Sequence, residues 1–344
     1  MRFRIPPVRV LFLAVFLDLI LVSGRPAPSE EASNQSIPQS SPKTVDVMPS
    51  NKLAAVQAAF LNPPSDVKTI GDISFLDPGR NEKMDLYLPA GRSPATHAPA
   101  VVLIHGGGWI GGDKREAREV EIGTTLAQNG FVVASINYAM KTAGKYPLNL
   151  QDCKNAVRYL RSKATELGID PERIAVLGGS AGGHLALMVA YTGDDSDLAP
   201  SSPYPGVSDK VAAVVDMYGV TDIGSRKKID SSGNPTGHRE VESHVREIFG
   251  ETPVDWAKAS PVNHINAKVP PTFIVHGRKD KTVDRDQSQE LADALRKAGC
   301  DVTLVWLENA GHTFSFKYSN TRTKAPLDRD IGPEIVTFLK KNLK

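Results

Sequence analysis

The run Ile174-Ala175-Val176-Leu177-Gly178-Gly179-Ser180-Ala181-Gly182 passes from an apolar, partly β-branched segment into a glycine-flanked serine. Leu185, Met188 and Val189 follow at helical spacing. Strand, tight turn and helix with G-x-S-x-G at the junction is the layout of a nucleophile elbow. The serine there sits on a strained turn, and side chains at the flanking glycines would clash with neighbouring backbone. The competing reading is a glycine-rich turn that only caps the helix. The context on both sides, together with motifs elsewhere in the chain, favours the elbow.

Working outward, Met84–Leu88 alternates as a half-buried strand. Continuous apolar runs at Ala100–Ile104 and Phe131–Ile136 read as buried strands, as do Val211–Val215, Thr272–Val275 and Val302–Trp306. Helical patterns lie between them: a segment ending at Gly130, the Leu150/Cys153/Val157/Leu160 face, Gln287–Ala298 and Pro333–Leu343. A short helical stretch, Leu53–Phe60, precedes the series. Alternation of this kind predicts an α/β fold, a mostly parallel sheet with helices on both faces. Residues 220–266 break the rhythm: they are polar with short helical pieces such as Val241–Phe249, and are expected as an insertion over the sheet's carboxyl edge.

His105-Gly106-Gly107-Gly108-Trp109 follows the Ala100–Ile104 strand. Three glycines let backbone N–H groups point into a site, which acyl transfer needs for a developing oxyanion. The expected donors are the amides of Gly107, Gly108 and Ala181. A phosphate-cradling loop is disfavoured because no G-x-x-x-x-G-K-[ST] occurs. His105 reads as a residue that orients the loop.

Asp280 and His312 each follow a strand, in His276-Gly277-Arg278-Lys279-Asp280 and Gly311-His312-Thr313-Phe314. The order Ser, Asp, His is that of α/β-hydrolases and differs from other serine hydrolase folds. Ser180 is therefore the candidate nucleophile, His312 the base, and Asp280 the acid that fixes the imidazole tautomer. Asp284 is the close competitor for the acid. Of the other histidines, His97, His238, His244 and His264 lie in loops or the insertion. His184 reads as a packing residue, and His276 precedes the loop that bears the aspartate.

These motifs resemble the α/β-hydrolase superfamily, specifically secreted bacterial esterases that share features with hormone-sensitive-lipase-like carboxylesterases and feruloyl or acetyl-xylan esterases. The matching stretches are His105–Trp109, Tyr138, Asp170–Gly183, Pro270–Val283 and Gly311–Phe314. The likeness runs from about Asp72 to the C-terminus. It implies an eight-stranded sheet and ester hydrolysis through an acyl-enzyme, with no cofactor. The implied substrate is a small-molecule or polysaccharide ester, acetyl or feruloyl. The alternatives are a prolyl-oligopeptidase-type serine peptidase and a non-catalytic hydrolase-fold binding protein. The first usually carries a preceding propeller and a bulky aromatic before the serine, where this chain has Gly179; the second normally lacks a triad member.

Composition narrows the remaining classes. The 344 residues hold 41 Lys+Arg and 39 Asp+Glu, a net charge of +2, with 40% hydrophobic and 23% charged residues. That argues against a wholly disordered chain and against a nucleic-acid partner. Lys340, Lys341 and Lys344 close the final helix, where cations complement its dipole.

Arg2, Arg4 and Arg9 precede an apolar run, Val10–Val22, with small residues at Val22-Ser23-Gly24. This is the layout of a signal peptide over 1–24, so the protein is expected to be exported, periplasmic or secreted. At about 13 residues the run is short of the roughly 20 needed to span a bilayer, and no integral span is expected after cleavage. Without it the chain holds 38 basic and 38 acidic residues, so net charge says nothing of the substrate. Residues 25–50, rich in Ser, Pro, Gln and Asn, read as a disordered linker, and 51–344 as the hydrolase domain.

Two cysteines cannot build a disulfide scaffold or a four-cysteine metal site. Cys153 and Cys300 are expected to stay unpaired, and no metal site is expected. Trp109, Tyr218 and Trp256 are weighed as pocket walls against the commoner core role of aromatics and are not ranked as site residues; the Gly111–Arg118 loop and the insertion are expected to determine specificity. The oligomeric state is not readable.

Overall fold

A computed structural model describes residues 57–344 apart from 94, 96 and 321–323. The expected signal peptide and linker lie outside the described residues. Eight strands form one sheet: β1 (Val67–Ile73), β2 (Met84–Pro89), β3 (Ala98–Ile104), β4 (Val132–Ile136), β5 (Ile169–Gly179) and β6 (Ala213–Met217). After a small hairpin of β7 (Lys227–Ile229) and β8 (Pro235–His238) come β9 (Thr272–Gly277) and β10 (Val302–Leu307). Their order is β1-β2-β4-β3-β5-β6-β9-β10. β2 runs antiparallel to both neighbours, and every other pairing is parallel. This is the α/β-hydrolase arrangement.

The continuous apolar runs have a direct cause. Along β3, Ala100, Val102 and Ile104 enter a core with helices Leu148–Ser162 and Ala181–Tyr191. Val101 and Leu103 enter a second core on the opposite face, with helices Ala117–Gln128 and Ile331–Asn342. A strand covered on both faces has no polar side to show, so its sequence does not alternate. β1 escapes the sequence pattern for the converse reason. It is the edge strand, only Val67 of its seven residues is buried, and it carries no hydrophobic period.

The segment between β6 and β9 differs from the expected polar insertion. Helix Ser243–Phe249 and the turn after helix Pro253–Lys258 send Val245, Ile248, Phe249 and Ala259 into the first core. Phe249 meets Trp109 edge to face at a ring separation of 4.9 Å. The segment is thus packed into the domain as well as lying at the sheet's carboxyl edge. Cys153 is buried, Cys300 is partly exposed, and both are free thiols.

Candidate active site

Parallel pairing puts the ends of β5, β9 and β10 at one edge of the sheet, and Ser180, Asp280 and His312 each leave that edge. Ser180 has φ 58° and ψ −123°, a left-handed conformation that costs an L-residue on the order of 1–3 kcal/mol and recurs at functional turns. Its N–H is held by the Met217 carbonyl at 2.9 Å. A Cβ on Gly178 would overlap the Gly182 carbonyl, and one on Gly182 would overlap the Ile104 carbonyl. Those clashes explain the glycines of G-x-S-x-G: β5, the elbow and the end of β3 are packed backbone to backbone.

His312 Nε2 lies 2.9 Å from Ser180 Oγ, and His312 Nδ1 lies 2.7 Å from Asp280 Oδ2. The three candidates form one continuous hydrogen-bonded line. A carboxylate can only accept, so Nδ1 carries the hydrogen and Nε2 is left to receive the serine proton. The other Asp280 oxygen accepts the N–H groups of Thr282 at 2.7 Å and Val283 at 3.1 Å. Burial opposes ionisation of Asp280, but hydrogen bonds from His276 and His312 outweigh it and hold the carboxyl well below the usual carboxylate range. Asp284 stands elsewhere: its Oδ2 accepts the Lys227 N–H at 2.9 Å, and burial raises its pKa.

The His105–Trp109 loop runs against the nucleophile. A Cβ on Gly106 would stand 3.3 Å from Ser180 Cβ. Gly107 has φ +109°, a conformation suited to glycine, and its carbonyl turns away to accept Ile110 and Gly111 N–H at 3.2 and 3.1 Å. Among the described residues no protein acceptor takes the N–H of Gly107, Gly108 or Ala181. His105 is fully buried, stacks on Tyr138 at 4.6 Å, and points Nδ1 at the Gly106 carbonyl at 2.7 Å. Burial lowers its pKa, so it orients the loop as a neutral ring.

Of the two roles open to Trp109, Tyr218 and Trp256, their contacts fit the framework one. Trp109 is buried and donates Nε1–H to His184 Nδ1 at 3.2 Å; His184 in turn directs Nε2 to the Ala259 carbonyl at 2.6 Å. Tyr218 is fully buried under His312, and Trp256 donates Nε1–H to the Gly250 carbonyl at 2.7 Å. The Gly111–Arg118 loop is likewise fixed. Lys114 and Arg115 pair with Asp72 and Asp85 on β1 and β2, with Arg115 Nε 2.6 Å from Asp85.

Several supporting residues escaped the sequence reading. Arg118 Nη1 donates to Tyr218 Oη at 2.5 Å, and its guanidinium pairs with the buried Glu119. A Cβ on Gly179 would overlap that guanidinium, so a larger side chain before the serine requires Arg118 to move. Glu121 accepts the Phe316 N–H at 3.2 Å. One helix, Ala117–Gln128, thus braces both the elbow and the histidine loop. Nothing in the residue types signals the bonds to Tyr218 and Phe316, which span 100 and 195 residues. Among the described residues, no group of His, Cys, Asp and Glu is arranged to hold a metal ion. Nor is any helix there long and apolar enough to cross a membrane.

Comparison with known proteins gives this geometry a family. The model of the BD-FAE family matches residues 84–295. The chain belongs to the BD-FAE family. The matched stretch runs from β2 into the helix after β9; it contains Ser180 and Asp280 and stops short of His312. Esterase LipQ of Mycobacterium tuberculosis is 30% identical over 244 residues, covering 71% of this chain and 56% of that protein. The probable carboxylic ester hydrolase LipM of the same organism is 33% identical over 228 residues, covering 66% and 52%. The chain therefore spans about half the length of the curated relatives it matches. Among solved structures, a sarin-phosphonylated esterase 2 of Thermogutta terrifontis aligns with TM-score 0.58 and 30% identity over 73% of this chain and 86% of that one. A truncated carbohydrate esterase from gut microbiota aligns with TM-score 0.68 at 24% identity, covering 82% and 99%; that likeness is one of fold.

Proposed function

We propose that this BD-FAE-family protein is an exported serine carboxylic ester hydrolase acting through an acyl-enzyme on small or carbohydrate-linked acyl esters, acetyl or feruloyl. The observation that carries the chemistry is the line Ser180 Oγ, His312, Asp280, with contacts of 2.9 and 2.7 Å, on a serine held at positive φ. Ser180 Oγ attacks the acyl carbon while His312 Nε2 takes its proton. The carbonyl oxygen becomes an oxyanion facing the N–H groups of Gly107, Gly108 and Ala181, which have no protein acceptor among the described residues to give up. Collapse expels the alcohol, which receives the proton from His312 and leaves Ser180 acylated. Water then repeats the sequence, with His312 again as base and then acid. Asp280 stays ionised throughout and stabilises the imidazolium.

The named activities of the relatives, esterase and carboxylic ester hydrolase, support the reaction class. The resemblance of the His105–Trp109, Asp170–Gly183 and Gly311–Phe314 motifs to feruloyl and acetyl-xylan esterases supports the sugar-linked class of substrate, and the segment before residue 25 supports export. The test is p-nitrophenyl acetate hydrolysis followed by a panel of acetylated xylan, methyl ferulate and proline-containing dipeptide amides. Ester turnover that disappears in Ser180→Ala is the expected result. Turnover of the amides alone would overturn the esterase reading in favour of a peptidase.

A further inference from the structure

We infer that His276 is a positioning residue, clamping the same Asp280 oxygen that faces His312. The inference rests on the reading of Ser180, His312 and Asp280 as nucleophile, base and acid. His276 occupies the penultimate position of β9, four residues before Asp280, and is completely buried. Its Nε2 stands 3.2 Å from Asp280 Oδ2 and 3.2 Å from the Val283 carbonyl. Both are acceptors, so Nε2 carries the hydrogen; it meets the Val283 carbonyl as a hydrogen bond with Asp280 Oδ2 close beside it at 3.2 Å. Nδ1 lies 2.7 Å from Ser288 Oγ, on helix Asp286–Lys297, whose hydroxyl donates to it.

The arrangement surrounds the carboxylate with three hydrogen-bond donors and the nearby His276 Nε2–H. Oδ1 is held by the Thr282 and Val283 N–H groups, and Oδ2 by His312 with His276 beside it. Oδ1 alone leaves the carboxylate plane free to turn about its bond. The His276 N–H gives Oδ2 a direction that does not depend on His312. The base can then tilt between Ser180 and a leaving oxygen while its orienting partner keeps its place. The second donor also shares the negative charge that the His312 imidazolium meets.

Other groups act on this line and stay in place when His276 is changed. Asp216 on β6 is a buried carboxyl acting electrostatically on His276. Tyr218, tied to Arg118, sets its ring 4.8 Å from His312. Trp306 of β10, with Arg278 stacked over it, lies 6.0 Å from the His276 ring.

The test is the pH profile of kcat/KM for p-nitrophenyl acetate, whose acid limb reports the base of the free enzyme. His276→Leu removes the donor while keeping bulk. In a variant shown by its melting curve to be folded, the acid limb is expected to rise by about half a unit or more, because unshared charge on Oδ2 favours the His312 imidazolium. kcat is expected to fall about tenfold with KM nearly unchanged. His276→Gln, whose amide nitrogen can donate to the same oxygen, should restore the limb. An unmoved limb in folded His276→Leu overturns the inference even if the rate falls, since that is what a merely structural histidine would give. If His276→Leu does not fold, the ¹⁵N-histidine spectrum of the wild-type protein decides. It should show His276 protonated at Nε2; protonation at Nδ1 alone would turn a lone pair toward Asp280 and overturn the inference. Loss of the underlying reading is distinguishable, because Ser180→Ala would then keep its activity whatever His276 does.

Discussion

Tyr218 donates its phenolic hydroxyl to the main-chain carbonyl of Phe314 at 3.0 Å, two residues beyond His312, and so ties the histidine loop to the end of β6. The same oxygen accepts from Arg118, and the Tyr218 ring meets His312 edge to face. Burial pushes the phenol pKa up to about 12 despite the nearby guanidinium, so the hydroxyl stays a donor at any working pH. Tyr218→Phe removes the tie and leaves a buried carbonyl and an Arg118 N–H without this partner. The expected cost is about 1–3 kcal/mol in stability, with a fall in kcat that exceeds any rise in KM. Urea melts and steady-state kinetics check both parts.

Asp280 and Asp284 are four residues apart, buried to similar degrees, and only Asp280 touches His312. Asp280→Asn should lower kcat by roughly 10⁴, as a wrong imidazole tautomer does in other triads. Asp284→Asn should keep kcat within a few-fold, because its bond from the Lys227 N–H can be made to an amide oxygen. Paired kinetics on the two variants decide between them.

Gly182→Ala would place a methyl group against the Ile104 carbonyl, where main chain and not a movable side chain must give way. The expected loss is about 1–3 kcal/mol, with activity falling because the elbow itself is displaced. Thermal melting and turnover on the purified variant provide the check.

His184 is buried between Trp109 and the Ala259 carbonyl, and burial lowers its pKa from the ordinary 6.5 to about 4. The unfolded chain therefore binds a proton below pH 6.5 that the folded chain refuses until about pH 4. Stability is lost as the pH falls through that window, by about 3 kcal/mol at its end. Asp216 works in the opposite sense, since burial raises its pKa to about 7 and folding then favours its proton at low pH. The difference between wild type and His184→Gln isolates the histidine. The variant should be less stable at pH 7, with the gap narrowing from pH 6.5 to 4. A gap independent of pH would contradict the assignment.

Much of this architecture could be read from local pattern. β3, β4 and β9 announce themselves because both of their faces are covered, and Ser180 and Asp280 because they follow the buried strands β5 and β9 within three residues; His312 follows the half-exposed edge strand β10. β1 gave no signal because an edge strand exposed on both faces has no period to display. The segment between β6 and β9 reads as polar because its buried residues are scattered among short elements; only the packing reveals Val245, Ile248 and Phe249 as core. Arg118 and Glu121 look like solvated helix charges in the sequence. Their roles depend on reach across the fold to Tyr218 and Phe316.

The central claim is that Ser180 is an activated nucleophile, and covalent labelling tests it most directly. The protein is incubated with an aryl fluorophosphonate, the adduct is weighed by intact-mass spectrometry, and the modified peptide is sequenced. A single adduct on Ser180 is expected, absent in Ser180→Ala and slowed by orders of magnitude in His312→Ala. Ester hydrolysis that persists with Ser180 unlabelled, or with the adduct on another residue, would contradict the account.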